Sequence, residues 1–188
     1  KHILTHPKRN QETSLGNLVA DIIRESLGLD LMLFGSGSIR CTELGPIVTY
    51  GKLAECFPYV GKVYQINVTA DQLRKMLLHV FRDEAWQGHT EFYQFSKGIR
   101  MIYSKSKREF NLAKLRGNDL TGDKVYRIGI QEFHYMNFNE FFGLDISETY
   151  INGKPRIVST SDFDVINEYL SSHNIIDKTV EGRLIVVE

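Results

Sequence analysis

The chain has 188 residues, 42% of them hydrophobic, and its 23 lysines and arginines are balanced by 23 aspartates and glutamates. This length and composition are typical of one globular domain with enough apolar residues to bury a core. The balanced charge argues against a broad surface for nucleic acid or acidic membranes, so an anionic ligand would have to be recognised by a few placed arginines.

The first predicted element is an amphipathic helix that follows a polar entering segment, residues 1–11. Apolar side chains recur at helical spacing over residues 15–27. Ser14 is the expected N-cap of this helix, and Gly28 is placed to end it. A short apolar run, residues 29–34, then predicts a buried strand.

The loop GSGSIR, which begins directly after this strand, is the first candidate ligand site, because loops after buried strands of α/β sheets often hold ligands. Gly35 and Gly37 allow a close approach of the backbone, while Ser36, Ser38 and the loop amides offer hydrogen-bond donors. Arg40 adds a planar guanidinium group suited to a phosphate or a carboxylate. The same pattern also occurs in simple turns, so the motif alone leaves both interpretations open.

The middle of the chain predicts a short helix, a strand and a longer helix. The short helix runs from a cap at Thr49 to Cys56. Alternating apolar residues over 64–68 indicate a strand. The capping box that begins at Thr69 then predicts an amphipathic helix through Phe81.

The second half of the chain is richer in predicted strands. A polar loop is expected over residues 83–90, an aromatic loop over 132–144, and a last helix beginning at Ser161. The predicted strands cover residues 92–94, 99–103, 110–115, 125–131 and 182–187. Since no repeat or linker divides the chain, residues 1–188 are predicted to form one α/β domain with helices covering mixed β-sheets.

Catalytic and metal-binding motifs are missing from the sequence. The six histidines form no HExxH motif and no pair at ligand spacing, and no GxSxG elbow is present. His89, in a GHT sequence, resembles a fragment of a dinuclear phosphatase loop but lacks the companion ligands, so we expect no metal site in this chain. Cys41 and Cys56 have no metal-type spacing and are expected to be small buried residues with free thiols.

No apolar run approaches the roughly 18 residues that a membrane span needs, and no signal peptide is visible. The chain begins at Lys1 instead of methionine, so a preceding segment is possible. An exported and a cytoplasmic location therefore both stay open.

Five sequence blocks in register resemble the C-terminal domain of the 5'-nucleotidase family. The blocks are RNQETSLGNLVAD, LDLMLFGSGSIR, VTYGKLAECFPYVGKV, VYRIGIQEF and VEGR. The resemblance implies a layered α/β domain that binds a nucleotide and presents its phosphate to an N-terminal metallophosphatase domain. That domain, with two divalent metal ions and a catalytic His-Asp pair, is expected to lie outside this chain, which would hold no cofactor or catalytic residue of its own.

The resemblance also implies roles for four separated side chains. Arg9 and Arg40 match family arginines that hold phosphate or ribose oxygens. Tyr59 and Phe133 match the two aromatic residues that stack on opposite faces of the base. Without the resemblance, both rings would be equally well explained as core residues.

Two departures from the family pattern affect the substrate. Gly35 replaces the asparagine that begins the glycine loop, and Ser36 and Ser38 replace glycines. Asn139 stands where the family has an aspartate implied to bind the ribose hydroxyls, and Phe138 occupies a glycine position, which would reshape the pocket. A nucleoside monophosphate, a cyclic nucleotide and a nucleotide sugar all remain candidate substrates.

Two functions follow from these observations. The first is the recognition domain of a metal-dependent hydrolase in nucleotide catabolism, either a 5'-nucleotidase or a related 2',3'-cyclic phosphodiesterase or UDP-sugar hydrolase, with the isolated chain inactive. Its partners would be a nucleotide or nucleoside and the N-terminal domain, with no nucleic acid and no membrane span. The alternative is a diverged binding or interaction module without a phosphatase role.

Overall fold

The structure, a computed structural model, describes residues 2–174 and 176–188; Lys1, the first residue of the predicted entering segment, lies outside the described residues. The helices are α1 Ser14–Leu27, α2 Tyr50–Cys56, α3 Ala70–Val80, α4 Asp83–Trp86, α5 Glu132–Met136, α6 Phe138–Phe142 and α7 Asp162–Ser172, with short 3-10 helices at Ser36–Ser38 and Ile146–Asn152. The strands are β1 Leu4–Thr5, β2 Leu31–Gly35, β3 Glu43–Leu44, β4 Val63–Thr69, β5 Tyr93–Phe95, β6 Ile99–Ser104, β7 Glu109–Leu115, β8 Asn118–Asp119, β9 Val125–Gln131, β10 Arg156–Ser159 and β11 Leu184–Val187.

Mixed β-sheets form the framework, which confirms the predicted fold class. The larger sheet has the strand order β10-β4-β9-β2-β5, in which β2 and β9 run parallel and the other neighbours are antiparallel. The second sheet has the order β11-β6-β7-β8, with β11 parallel to β6. Strands β1 and β3 pair in a separate two-stranded sheet.

Strand β2 lies between two hydrophobic cores and contributes side chains to both. Leu31 and Leu33 pack into one core with α3, α6 and the second sheet. Met32 and Phe34 point the other way, into a core formed with α1, α2 and α7. A strand buried on both faces has no polar face, which explains the unbroken apolar run in the sequence.

Helix ends follow the predicted capping residues with one exception. Thr69 and Gln72 form the predicted capping box of α3, and Gly28 ends α1 in the left-handed conformation with φ of 66°. The N-cap of α1, however, is Thr13, whose hydroxyl accepts a hydrogen bond from the Gly16 amide. The prediction of Ser14 was wrong by one residue, because the Ser14 hydroxyl accepts from the Thr5 amide in the unpredicted strand β1.

Short helices were missed in the two predicted loops. Residues 83–90 contain α4, whose first turn carries Asp83 and Glu84, and residues 132–144 contain α5 and α6. Helices of four or five residues are too short to show a periodic pattern and depend on tertiary packing for their stability. In α6 this packing comes from Phe138, Phe141 and Phe142, which are all buried.

The expectation of free thiols was also wrong, because Cys41 and Cys56 form a disulfide with a Cα–Cα distance of 4.7 Å. The end of α2 returns to the loop after β2, where the Arg40 amide donates to the Cys56 carbonyl at 2.8 Å. This return is tertiary and leaves no mark on the spacing of the two cysteines. No helix among the described residues combines the length and apolarity that crossing a bilayer requires.

The C-terminal strand is joined to α1 by buried charges. Both terminal nitrogens of Arg183 donate to the Asp21 carboxylate at 2.8 Å, and the Lys178 ammonium contacts it at 2.7 Å. Burial raises the pKa of Asp21, but the hydrogen bonds from Arg183 and Lys178 outweigh it and hold this pKa below its ordinary value. Asp21 and Arg183 are 1% and 3% exposed, so this pair is part of the protein interior.

Candidate functional site

A cleft of about 740 Å³ opens where the parallel strands β2 and β9 end. This edge of a parallel strand pair is a common ligand position in α/β folds. The predicted site residues that line the cleft are Arg9, Gly37, Ser38, Arg40, Tyr59 and Phe133. Two guanidinium groups and two aromatic rings from distant parts of the chain thus converge on one cavity.

The aromatic rings stand at the mouth of the cleft, where Tyr59 is 58% and Phe133 64% exposed. Arg40 lies beside Tyr59, with its guanidinium carbon 5.9 Å from the ring centroid. Its one side-chain hydrogen bond among the described residues is a long contact, 3.5 Å, to the Gly37 carbonyl. Most of the Arg40 guanidinium donors are therefore free to meet a ligand.

Gly35 and Ser36 do not line the cleft and instead pack beneath it. A Cβ atom at Gly35 would overlap the His134 ring, so this position requires glycine for close packing. The fully buried Ser36 hydroxyl donates to the Arg9 carbonyl at 2.6 Å and accepts from the side-chain amide nitrogen of Gln94 at 2.9 Å. Ser36 thereby holds the segment that carries Arg9.

We expect Ser36→Ala to lower the free energy of unfolding by about 1–3 kcal/mol, because it leaves the Arg9 carbonyl and the buried Gln94 amide with fewer partners. Urea denaturation measures this change. The matched control is Ser38→Ala, because the Ser38 hydroxyl accepts one 3.3 Å hydrogen bond from Gln131 and lines the cleft. Equal losses in the two variants would contradict a structural role specific to Ser36.

Glu91 is a lining residue that the sequence did not single out. Its carboxylate accepts from the amides of Gly37 at 2.9 Å and Phe92 at 3.0 Å, and lies 3.5 Å from the His134 ring nitrogen Nε2. Burial raises the pKa of Glu91, but contacts with His134 and the Gly37 amide outweigh it and lower this pKa below its ordinary value. Because the Gly37 amide is engaged by Glu91, it is not a free donor for a ligand.

The buried His134 ring packs against Phe133, one of the two aromatic rings at the mouth of the cleft. The ring is 2% exposed, and neither of its nitrogens has a hydrogen-bond partner within residues 2–174 and 176–188. The His134 ring packs against Phe141 and Tyr93 in edge-to-face arrangements, with ring centroids 4.9 and 5.0 Å apart. Phe133 contacts the same ring at 5.7 Å, so His134 fixes one side of the mouth.

Asp162 and Gln131 form the buried floor of the cleft. Asp162 accepts from the Gly61 amide at 3.1 Å, the Phe163 amide at 2.8 Å and the Gln131 side-chain amide at 3.0 Å. Burial raises the pKa of Asp162, and these hydrogen bonds offset only part of the rise. The sequence indicated Asp162 only as an acidic residue in the first turn of a helix, and nothing in the spacing pointed to its meeting with Gln131.

Asn139 lies outside the cleft lining. It is exposed on α6, where its carbonyl accepts from the Gly143 amide at 2.8 Å. Residues 138–142 coil so that the phenylalanines face the core, which turns Asn139 outward. The geometry thus gives no support to the predicted contact between Asn139 and ribose hydroxyls.

Metal ligands are not gathered in the described part of the chain. Within residues 2–174 and 176–188, no group of three or more His, Cys, Asp or Glu side chains is arranged to hold a metal ion. The cleft instead combines cationic and aromatic groups at its mouth with hydrogen-bonding groups at its floor. Such a lining is suited to binding a flat, partly anionic small molecule.

Comparison with known proteins places these features in a family. A family model described as "5'-nucleotidase, C-terminal domain" matches residues 2–145. A 5'-nucleotidase of Vibrio parahaemolyticus is 24% identical over 169 residues, which are 90% of this chain and 28% of the relative. Endonuclease YhcR of Bacillus subtilis is 24% identical over 184 residues, which are 94% of this chain and 14% of the relative.

The fold is also similar to solved structures. A 5'-nucleotidase precursor from Thermus thermophilus superposes with a TM-score of 0.83 at 23% identity, over 100% of this chain and 38% of that chain. The chain thus spans well under half the length of each of these three proteins.

Proposed function

Because this chain belongs to the 5'-nucleotidase C-terminal domain family, we propose that its cleft binds a nucleotide and serves as the recognition site of a phosphohydrolase. The observation that carries this proposal is the convergence of Arg9, Arg40, Tyr59 and Phe133 on one cavity. These four residues lie on separate segments, and packing alone does not require them to meet.

Each group in the cleft has a defined part in this proposal. A base inserted between Tyr59 and Phe133 gains stacking of about 1–3 kcal/mol per face. The guanidinium groups of Arg9 and Arg40 bind phosphate or ribose oxygens by charge-assisted hydrogen bonds. The exposed rings and arginines lie at the mouth, where the phosphate can be presented to another domain.

The hydrolytic chemistry belongs, in this proposal, to an N-terminal metallophosphatase domain with two divalent metal ions. Members of this class release phosphate from nucleotides, which would place the full protein in nucleotide catabolism. The isolated chain is then expected to bind nucleotides without hydrolysing them. Metal-dependent phosphate release by the purified chain would contradict this division of roles.

We expect Arg40→Ala to weaken AMP binding by about 10- to 100-fold while adenosine binding changes little, because the guanidinium meets the phosphate through charged hydrogen bonds. Titration calorimetry with AMP and adenosine measures both affinities. The matched control is Arg100→Ala, an exposed arginine on β6 outside the cleft lining. Equal weakening of AMP and adenosine by Arg40→Ala would remove Arg40 from the phosphate site.

A diverged interaction module is the second candidate function. The outward position of Asn139, which lies outside the cleft lining, favours it. A thermal-shift screen separates the two functions, because a ligand that binds the folded state raises the melting temperature. Stabilisation by AMP or adenosine supports nucleotide recognition, whereas no shift with any nucleotide, cyclic nucleotide or nucleotide sugar supports the module.

A further inference from the structure

We propose that the floor of the cleft reads the inner edge of the nucleobase, with Asp162 accepting a hydrogen bond from an amino group on that edge. The inference rests on the proposed function and specifies its substrate class, a nucleoside or nucleotide whose base carries an exocyclic amino group. It assigns base selection to a residue outside the family match, which ends at residue 145.

The order of burial fixes which part of a ligand reaches Asp162. Tyr59 and Phe133 are more than half exposed, whereas Gln131 and Asp162 are 6% and 3% exposed. A flat ring that enters between the two aromatic side chains therefore points its inner edge at the buried floor. The sugar and phosphate remain near Arg9 and Arg40, which are both exposed at the mouth.

Asp162 retains acceptor capacity for a ligand. Its oxygen Oδ1 accepts from two backbone amides, of Gly61 and Phe163. Its oxygen Oδ2 accepts from the Gln131 amide alone among the described residues. A carboxylate offers about four acceptor positions, so at least one position on Oδ2 is open.

Gln131 holds this carboxylate in a fixed orientation. The Gln131 carbonyl oxygen accepts from the Gly35 amide at 2.8 Å, and its amide nitrogen donates to Asp162 and to the Ser38 hydroxyl. These contacts tie Asp162 to the ends of β2 and β9. An acceptor fixed in this way distinguishes ligands by whether they supply a donor, because a buried acceptor left unpaired is costly.

The other carboxylates that line the cleft are engaged elsewhere. Glu132 accepts from the Lys62 amide at 3.2 Å and lies 3.2 Å from the Lys62 ammonium. Glu91 is bound to the Gly37 and Phe92 amides and contacts His134. The three carboxylates together disfavour an anion at the floor, so the phosphate of a nucleotide is directed to the arginines at the mouth.

Two pairs of nucleosides test the proposal on the unmodified chain. Adenosine differs from purine riboside by its 6-amino group, and guanosine differs from inosine by its 2-amino group. We expect the amino-bearing member of at least one pair to bind about tenfold more tightly, as measured by titration calorimetry. The pair that shows the preference identifies which amino group, at position 6 or position 2 of the purine, is recognised at the floor of the cleft.

A variant then attributes the preference to Asp162. Asp162→Asn keeps an oxygen for the Gly61 and Phe163 amides but removes the charged acceptor, and we expect it to abolish most of the preference. The matched control is Asp164→Asn, an exposed carboxylate in the same helical turn, which should keep the preference.

The outcomes separate this inference from the proposed function. Equal affinities within both pairs overturn the reading of the base edge while leaving nucleoside binding intact. Absence of binding by all four nucleosides overturns this inference, and absence of binding by every nucleotide in the thermal-shift screen overturns the proposed function as well. A preference that persists unchanged in a folded Asp162→Asn variant overturns the assignment to Asp162.

Discussion

Replacing Asp21 with alanine should lower the free energy of unfolding by about 3–5 kcal/mol, the loss typical of breaking one side of a buried ion pair. The substitution leaves the guanidinium group of Arg183, which is 3% exposed, without the carboxylate that binds both of its terminal nitrogens. It also removes the acceptor of the Lys97 amide, which donates to Asp21 at 2.6 Å. Urea denaturation measures the loss.

The matched control is Glu25→Ala on the same helix. The Glu25 carboxylate pairs with Arg24 at 3.0 Å, but its side chain is 46% exposed, so we expect a loss of at most about 1 kcal/mol. The double variant Asp21→Ala with Arg183→Met removes both buried charges. Its loss should be smaller than the sum of the two single losses, and additive losses would show that the pair is not coupled.

The stabilisation by Asp21 should also depend on pH. Because the pKa of Asp21 is lower in the folded protein than its ordinary value, its contribution is present above about pH 4 and is lost as the pH falls through the folded value. The difference in unfolding free energy between the unmodified chain and Asp21→Asn should therefore shrink in acid. A difference that stays constant from neutral pH down to strong acid would contradict this linkage.

Phe133→Ala should weaken adenosine binding by about 5- to 100-fold, the equivalent of one stacked face. Because the ring is 64% exposed, its loss should change the unfolding free energy by no more than about 0.5 kcal/mol. Titration calorimetry and urea denaturation on the same samples separate binding from stability.

Two further substitutions at this position isolate the contribution of the ring. Phe133→Tyr keeps an aromatic face and should retain the affinity. Phe133→Leu keeps apolar area without a π-face, and its affinity for adenosine should lie between those of the aromatic and alanine variants. If all three variants bind adenosine as the unmodified chain does, Phe133 is not a stacking platform.

Local sequence patterns predicted the elements whose stability is encoded locally. The capping box at Thr69 and the glycine at position 28 satisfy helix ends with neighbouring residues, so they are visible in the sequence. The run LMLFG predicted β2 because both of its faces are buried. Elements that depend on distant partners were missed, including α5 and the crosslink between Cys41 and Cys56.

The residues of the candidate site also divide into those that the sequence indicated and those that only the structure revealed. The loop after β2 indicated Arg40, the family resemblance added Arg9, Tyr59 and Phe133, and the fold places all four around one cleft. Glu91 and Asp162 were not expected there, since each reaches the cleft from a segment with no ligand motif of its own, and His134 was not singled out although it follows Phe133 directly. Their roles depend on burial and on partners distant in the sequence, neither of which can be deduced from spacing.

The segment that follows residue 145 is as much a part of the cooperative unit as the family match. Phe163 and Ile166 of α7 complete the core against α1, and β11 forms an edge of the second sheet. A truncation placed at residue 145 would remove Phe163 and Ile166 from the core that contains α1 and leave Asp21 without Arg183. A fragment of this chain is therefore better ended after β11 than at residue 145, where the family match ends.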